Sequence, residues 1–352
     1  MEQLIEIFGD AGALMAAGVA VGILFGAAAQ HSRFCLRAAT LEVSDGHLGP
    51  RLAVWLVAFT SALLLVQGAV LTGLLDLSQS RAIASVGSLS GAIIGGLMFG
   101  VGMTLARGCA SRLLVLASSG NLRALVTGLV VTLVAQAAYR GVLAPARETI
   151  AGLWTIPGGA GRDLAALLGL TAQTLTIGAG GAVLAALVFA RGRAVPWGRI
   201  CAALGVGLAV ALGWGLTFAI AQTSFEVVPV SSVTFTGPAT DTLMALVAQR
   251  SLLPSFGIGL VPGVAIGAGG AALLAGEWHI ERFGADTPME RYLAGALLMG
   301  FGAMLAGGCA VGAGLSGGSA LSLTAWVAVF SMWVGAVATY RIQALGIVAA
   351  RP

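Results

Sequence analysis

The chain has 352 residues, 58% of them hydrophobic and 9% charged, with a net charge of +4 and a mean hydropathy of +0.97. A soluble domain carries about 25% charged residues, so there is no polar shell here to enclose a large core, and the sequence predicts an all-α polytopic membrane protein. All 18 basic residues are arginine. Without a lysine no P-loop can reach a phosphate, and no long soluble stretch leaves room for a catalytic domain. The expectations are therefore no enzyme, no cofactor, no metal and, with arginines scattered at helix ends, no nucleic-acid partner.

The amino-terminal MEQLIEIFGD is acidic, unlike the basic start of a cleaved signal. The first apolar segment has glycine at every fourth position in GVAVGILFGA from Gly18, and it runs into QHSRFCLRAA, where Cys35 stands between Arg33 and Arg37. Charge-free runs follow at Leu52 to Leu75, Ala82 to Ala106, Leu164 to Ala190, Ile200 to Phe225 and Ser251 to Gly276. Each exceeds the roughly 20 residues that carry a helix across a bilayer core. From Tyr292 to Tyr340 no charge occurs in 49 positions. These runs predict about nine transmembrane helices, with short re-entrant half-helices. The densest basic loop is RGRAVPWGR, Arg191 to Arg199, and cytoplasmic loops collect arginine. Counting crossings from that loop puts Arg33, Arg37, Arg51, the Arg282–Arg291 loop and the tail with Arg341 and Arg351 inside. The acidic amino terminus falls outside.

A cysteine motif is written twice. LARGCASRLL begins at Leu105, and two hundred residues later the chain reads LAGGCAVGAG. Gly95–Ala110 aligned without a gap on Gly295–Ala310 gives nine identities in sixteen, among them Gly108/Gly308 and Cys109/Cys309. GVAVGILFGA from Gly18 also resembles GLVPGVAIGA from Gly259. The crossing count makes the Gly95 and Gly295 segments enter from opposite sides. The expectation is one integral membrane unit over residues 1–352. It holds two inverted repeats with pseudo-two-fold symmetry, about 11–141 and 199–341, joined by a connecting segment of about 142–198. Such repeats place a substrate site near mid-membrane, on broken helices. GGCAVGAGLSGGS, with six glycines in thirteen residues, makes a poor continuous helix and reads as a break followed by a half-helix. Cys109 and Cys309 should then approach each other near the centre of the membrane.

Cys201 opens an ordinary apolar run and reads as a small core hydrophobe. Cys35, Cys109 and Cys309 each lie at a turn beside glycine or arginine, which marks them as candidates for a substrate path. No carboxylate accompanies the glycine-cysteine segments. Instead Arg33, Arg107 and Arg112, the hydroxyls of Thr104, Ser111, Ser316 and Ser319, and backbone N–H groups at Gly108 and Gly308 make an anion environment. A thiol is a soft, weak donor, and a soft donor in an anion path suits an anion that carries sulfur. A free cysteine titrates near 8.5, and apolar burial raises that, so neutral thiols can contact a dianion without repelling or trapping it. Weak sites in series meet the needs of conduction. A membrane thiol oxidoreductase is a rival reading, although no two cysteines lie within seventy residues of each other. A channel for another inorganic anion is a second.

The motifs SRFCLRAA, ARGCASR and AGGCAVGAGLSG resemble the signatures of the YeeE/YedE family of bacterial inner-membrane proteins associated with thiosulfate uptake. The resemblance extends over nearly the whole chain. It implies a multi-pass inner-membrane transporter for thiosulfate or a related sulfur anion, with the amino terminus outside and the carboxyl terminus cytoplasmic. It further implies three essential cysteines, by position Cys35, Cys109 and Cys309, that pass thiosulfate by S–H contacts, and a cytoplasmic TusA-like sulfur-carrier protein acting in trans. The loops at 141–162 and 226–250 lie outside these motifs.

Overall fold

The computed structural model describes residues 2–224, 227–248, 253–283 and 289–345. Arg351 and parts of the 226–250 and 282–291 loops lie outside the described residues. The first half carries α1 (Glu2–Ser32, turned sharply at Gly9), α2 (Leu36–Ser44), α3 (Pro50–Leu71), the one-turn α4 (Arg81–Ala84), α5 (Leu89–Leu105), α6 (Ala110–Ser118) and α7 (Leu122–Arg140). Between the halves come α8 (Ala144–Gly152), α9 (Leu164–Leu167) and α10 (Ala172–Gly192). The second half has α11 (Trp197–Thr223), α12 (Thr236–Val247), α13 (Phe256–Leu274), α14 (Met289–Ala306), a π-helical turn at Gly312–Gly317 and α15 (Leu323–Ala344). Two-residue strands at Gly87–Ser88 and Thr155–Ile156 pair antiparallel.

Among the described residues eight segments are long and apolar enough to cross a membrane, two of them broken helices, Gly9–Ser44 and Leu89–Ser118. The expected ninth corresponds to α14, whose first turn holds Glu290 and Arg291 and so shortens its apolar part. Together with the half-helix after Cys309 it traverses the bundle as α5 and α6 do. The protein is an all-α multi-pass membrane protein.

The packing pairs off across the two halves. α1 lies on α13 as α11 lies on α3; α5 lies on α15 as α14 lies on α7; α2 covers α3 as α12 covers α13. Two further contacts join equivalent helices of the two halves, α5 with α14 and α1 with α11. The first is reciprocal at the level of single residues. A methyl added to Gly95 would sit 2.6 Å from the Gly302 carbonyl oxygen, and one on Gly302 would sit 2.7 Å from that of Gly95. Gly102 and Gly295 stand in the same mutual relation, at 2.6 and 2.7 Å. The pairing of 95 with 302 and of 102 with 295 means that the two helices run in opposite directions. Apolar side chains drive little association in lipid, and backbone approach at small residues takes that role.

The glycine stripe beginning at Gly18 has a different meaning from the one the sequence suggests. Gly18, Gly22 and Gly26 face the backbone of Phe256–Leu260, Leu260–Val264 and Val264–Ala268 in turn. α1 and α13 are therefore parallel neighbours. The similarity of GVAVGILFGA and GLVPGVAIGA is that of two surfaces packed on each other, while the helix that corresponds to α1 by packing is α11.

These directions sort the helix ends into two faces. On one face lie the end of α1, the ends of α13 and α15 and the starts of α7, α11 and α14. Contacts of Arg33 with Glu277, of Asn121 with Glu281, of Arg291 with Gln343 and of Arg341 with Ser44 bring them together. On the other face Asp10 meets Ser224, and Ser322 bonds the Ala82 carbonyl. The 141–162 loop is fastened to this second face by Arg162. Its guanidinium donates to the Ser85 carbonyl at 2.7 Å and to the Thr324 hydroxyl at 2.7 Å. Burial, with the nearby Arg81, pulls the Arg162 guanidinium below its ordinary range.

Candidate functional site

Three helix breaks share one backbone design. Each has a residue in the left-handed region two positions before the cysteine: Arg33 (φ 56), Arg107 (φ 55) and Gly307 (φ 77). After α5 and α14 the chain then makes the six-to-one bond of a glycine-type helix stop, Gly108 N–H to the Met103 carbonyl at 3.1 Å and Gly308 N–H to the Ala303 carbonyl at 3.0 Å. A new short helix starts directly after each cysteine, at Leu36, Ala110 and Ala310. Cys35 and Cys109 are extended N-cap residues with no side-chain cap bond. Each cysteine thus sits in the gap between a helix that has ended and one that begins.

Arginine in the left-handed region is costly, roughly 1 kcal/mol or more for a side chain with a Cβ. Among the described residues four non-glycines have positive φ, and two of them are Arg33 and Arg107. Glycine in one copy opposite arginine in the other is the sequence signal of this shared backbone position. Glycine fills it without strain at 307, and the first half keeps arginine there.

Cys109 and Cys309 are both buried, Cys35 is half-buried, and all three thiols are free. The Cys35 and Cys309 thiols lie within electrostatic range of the Cys109 thiol. The Cys109 sulfur is 3.3 Å from the Ser111 hydroxyl. The Cys309 sulfur accepts the Gly312 N–H at 3.4 Å and lies 3.9 Å from the Thr234 hydroxyl. The crossing of α5 and α14 sends the two breaks toward opposite faces, because Ala106 packs beside Gly295 and Ala306 beside Gly95. Cys201 is exposed on α11, not part of the core its apolar surroundings suggest.

The remaining expected residues divide. Arg107 is exposed and Arg112 half-buried, with one Arg112 terminal nitrogen buried and unpartnered. Arg33 is paired with Glu277 at 2.7 Å, and Gln30 donates to the other oxygen of that carboxylate at 3.1 Å. Both charged side chains of this pair are more than a third exposed, so it stabilises by less than about 1 kcal/mol. Its place is more telling than its strength, since it borders a cavity of about 270 Å³ lined also by His31, Gly198 and Arg199. Gly108 has room for a methyl, 3.4 Å from Leu113, whereas one at Gly308 would press on the Ala313 nitrogen at 3.1 Å. Ser111 is the expected hydroxyl that faces a thiol. Thr104 bonds the Gly100 carbonyl, Ser316 the Val233 carbonyl and Ser319 the Ser316 carbonyl, so their protons are already committed to backbone. Sequence reasoning missed Thr234 and Glu277, which no motif marks; the segment 224–235 between α11 and α12 carries no cysteine to flag it.

Comparison with known proteins follows the same lines. The model of the sulphur transport family matches residues 31–338. The chain is similar to the thiosulfate transporter TsuA of Spirochaeta thermophila, 29% identical over 335 residues that cover 88% of this chain and 93% of that protein. It is also similar to the thiosulfate transporter TsuA of Escherichia coli, 25% identical over 349 residues, 92% of each chain.

Proposed function

Because the chain belongs to the sulphur transport family, we propose that it takes up thiosulfate, or a closely related sulfur-containing anion, along a path that passes Cys309, Cys109 and Cys35. The observation that carries this reading is the repeated break. Three times a helix stops, a cysteine sits in the gap, and a short helix restarts, and the Cys35 and Cys309 thiols each lie within electrostatic range of the Cys109 thiol. A chain that needed only packing would have no reason to interrupt a membrane helix at a strained arginine. Two relatives similar along most of the chain are named thiosulfate transporters, which supports an anion with a soft terminal sulfur.

In this reading each neutral thiol offers an S–H to the terminal sulfur and lets it go again, because a thiol is a weak donor. Ser111 orients the Cys109 thiol, and Gly312 N–H and Thr234 orient that of Cys309. Arg33, Arg107 and Arg112 supply the positive field that draws the dianion, with Gly108 and Gly308 keeping the breaks tight. The halves are about 11–141 and 199–341. The membrane is the bacterial inner membrane, and the face that holds Arg33, Arg191, Arg193, Arg199 and Arg291 is cytoplasmic by the arginine bias. That puts the carboxyl terminus inside and the amino terminus outside. A TusA-like carrier then receives sulfur in trans from the Cys35 side. The test is uptake of thiosulfate, labelled at its terminal sulfur, into proteoliposomes, together with growth on thiosulfate as sole sulfur source. Uptake no greater than in empty liposomes, with growth unchanged when the gene is removed, would overturn the assignment.

A further inference from the structure

On the face that carries the end of α1, buried hydrogen-bond donors from three helices meet no acceptor. They are Arg37 Nε on α2, Arg291 Nε on α14 and Gln343 Nε2 on α15. Arg291 and Gln343 touch, Nη2 donating to Oε1 at 2.5 Å. Arg37 is close enough to Cys35, Arg107 and Arg291 to interact electrostatically with each. Tyr292, fully buried beneath them, is occupied by Arg123, whose guanidinium lies 5.0 Å over the ring and donates to the hydroxyl at 3.2 Å.

The carboxylates of this face make no ion pair with the group: Glu277 is taken by Arg33 and Gln30, Glu42 by the Leu52 N–H, Glu281 by Asn121 and Asp45 by the Tyr340 hydroxyl, while Glu290, beside Arg291 in the chain, is in neither ion pair among the described residues. Among the described residues the ion pairs are Arg33–Glu277 and Arg147–Glu148. Converging cations with unfilled donors are unfavourable as they stand, since each unsatisfied buried donor costs about 1–3 kcal/mol and the like charges repel. An anion seated on these donors would remove both penalties at once. A guanidinium suits an oxyanion because its N–H fork matches two oxygens at once.

We propose that Arg37, Arg291 and Gln343 form an oxyanion subsite beside Cys35, which holds the sulfonate oxygens of the transported anion while the thiol faces its terminal sulfur. The subsite deepens the transport reading above and rests on it for the identity of the anion. It divides recognition into a hard half and a soft half: guanidinium for oxygen, thiol for sulfur. It also predicts that sulfate, which has the oxygens without the soft sulfur, occupies the subsite and competes.

The experiment uses the full chain in lipid nanodiscs and in proteoliposomes, with sulfate and thiosulfate as probes. Thermal stability is measured with and without each anion for the wild type and for Arg37→Gln, Arg291→Gln and Arg37→Lys. The expected result has three parts. Both anions stabilise the wild type. Each Gln variant is at least as stable as the wild type without anion, because a repelling charge is gone, but loses the anion-dependent gain and shows an apparent KM for thiosulfate raised by about tenfold. The Lys variant keeps part of the gain. The proposal is overturned if both Gln variants keep the wild-type anion-dependent gain and wild-type KM. It is equally overturned if both are less stable without anion and keep the gain, which would make these arginines structural anchors. Two independent Gln variants keep the test open if one fails to fold. Arg37-dependent sulfate binding in a protein that takes up no thiosulfate would uphold the subsite and sink only the transport reading.

Discussion

The backbone at Arg107 offers a test in which stability and activity should move in opposite directions. Arg107 has φ 55 and its repeat counterpart Gly307 has φ 77. Replacing Arg107 with glycine relieves a left-handed conformation at a side chain that is exposed, so little packing is lost with it. The backbone term is worth roughly 1 kcal/mol, about a fivefold change in the folded-to-unfolded ratio. The converse change is Gly307→Ala. A methyl there meets nothing within 4 Å, so its cost is the same backbone term with the opposite sign. Reversible unfolding in mixed micelles should place Arg107→Gly about 1 kcal/mol above the wild type and Gly307→Ala about 1 kcal/mol below. Thiosulfate uptake by Arg107→Gly should nevertheless fall, and its remaining uptake should depend less on ionic strength, because a screened attraction has been removed. If Arg107→Gly is no more stable than the wild type, the strain argument fails. If its uptake and salt dependence are also unchanged, the arginine has no part in drawing the anion.

Other substitutions probe the remaining features. Gly102→Ala, whose methyl would lie 2.6 Å from the Gly295 carbonyl oxygen, should push α5 from α14 and lower the yield of folded protein, whereas Gly68→Ala, which meets nothing within 4 Å, should be neutral or stabilising by about 1 kcal/mol as a helix substitution; equal yields would remove the close-crossing argument. Cys109→Ser and Cys309→Ser should each abolish most thiosulfate uptake at normal expression, since serine keeps a small donor and loses the soft sulfur, while Cys201→Ala should transport like the wild type. Wild-type rates in the two serine variants would end the soft-sulfur relay. Glu277→Gln should leave thermal stability within about 1 kcal/mol of the wild type yet lower the apparent KM by freeing Arg33 for the anion; an unchanged KM would show that this pair does not compete with substrate.

The sequence carries the helices and the breaks because both are written locally. Charge-free runs of bilayer length mark the spans, and a glycine or arginine ahead of a cysteine marks each interruption. The inverted relation was also legible, since Gly95–Ala110 and Gly295–Ala310 match at nine of sixteen positions and packing then fits Gly95 to Gly302. What local pattern could not convey is which surfaces face each other. A parallel pair such as α1 and α13 demands the same small-residue spacing on both helices, so partnership looks like repetition. Hydroxyls posed a similar difficulty: Thr104, Ser316 and Ser319 are adjacent to the cysteines in the chain but bond nearby carbonyls. Arg37, Arg291 and Gln343 are far apart in sequence and meet only through the tertiary fold, so no motif could have joined them.

α10 packs on α3 and has no counterpart in the other half, and only 11% of its apolar window is buried. Its value is one of parity. Each half crosses the membrane an even number of times, through α1, α3, α5 with α6, and α7, and again through α11, α13, α14 with its half-helix, and α15. Two copies of an even unit joined head to tail would enter the bilayer from the same side and could not oppose each other. One additional crossing between them reverses the second copy. In the two-half reading proposed above, the property of α10 that matters most is that it crosses once between the halves.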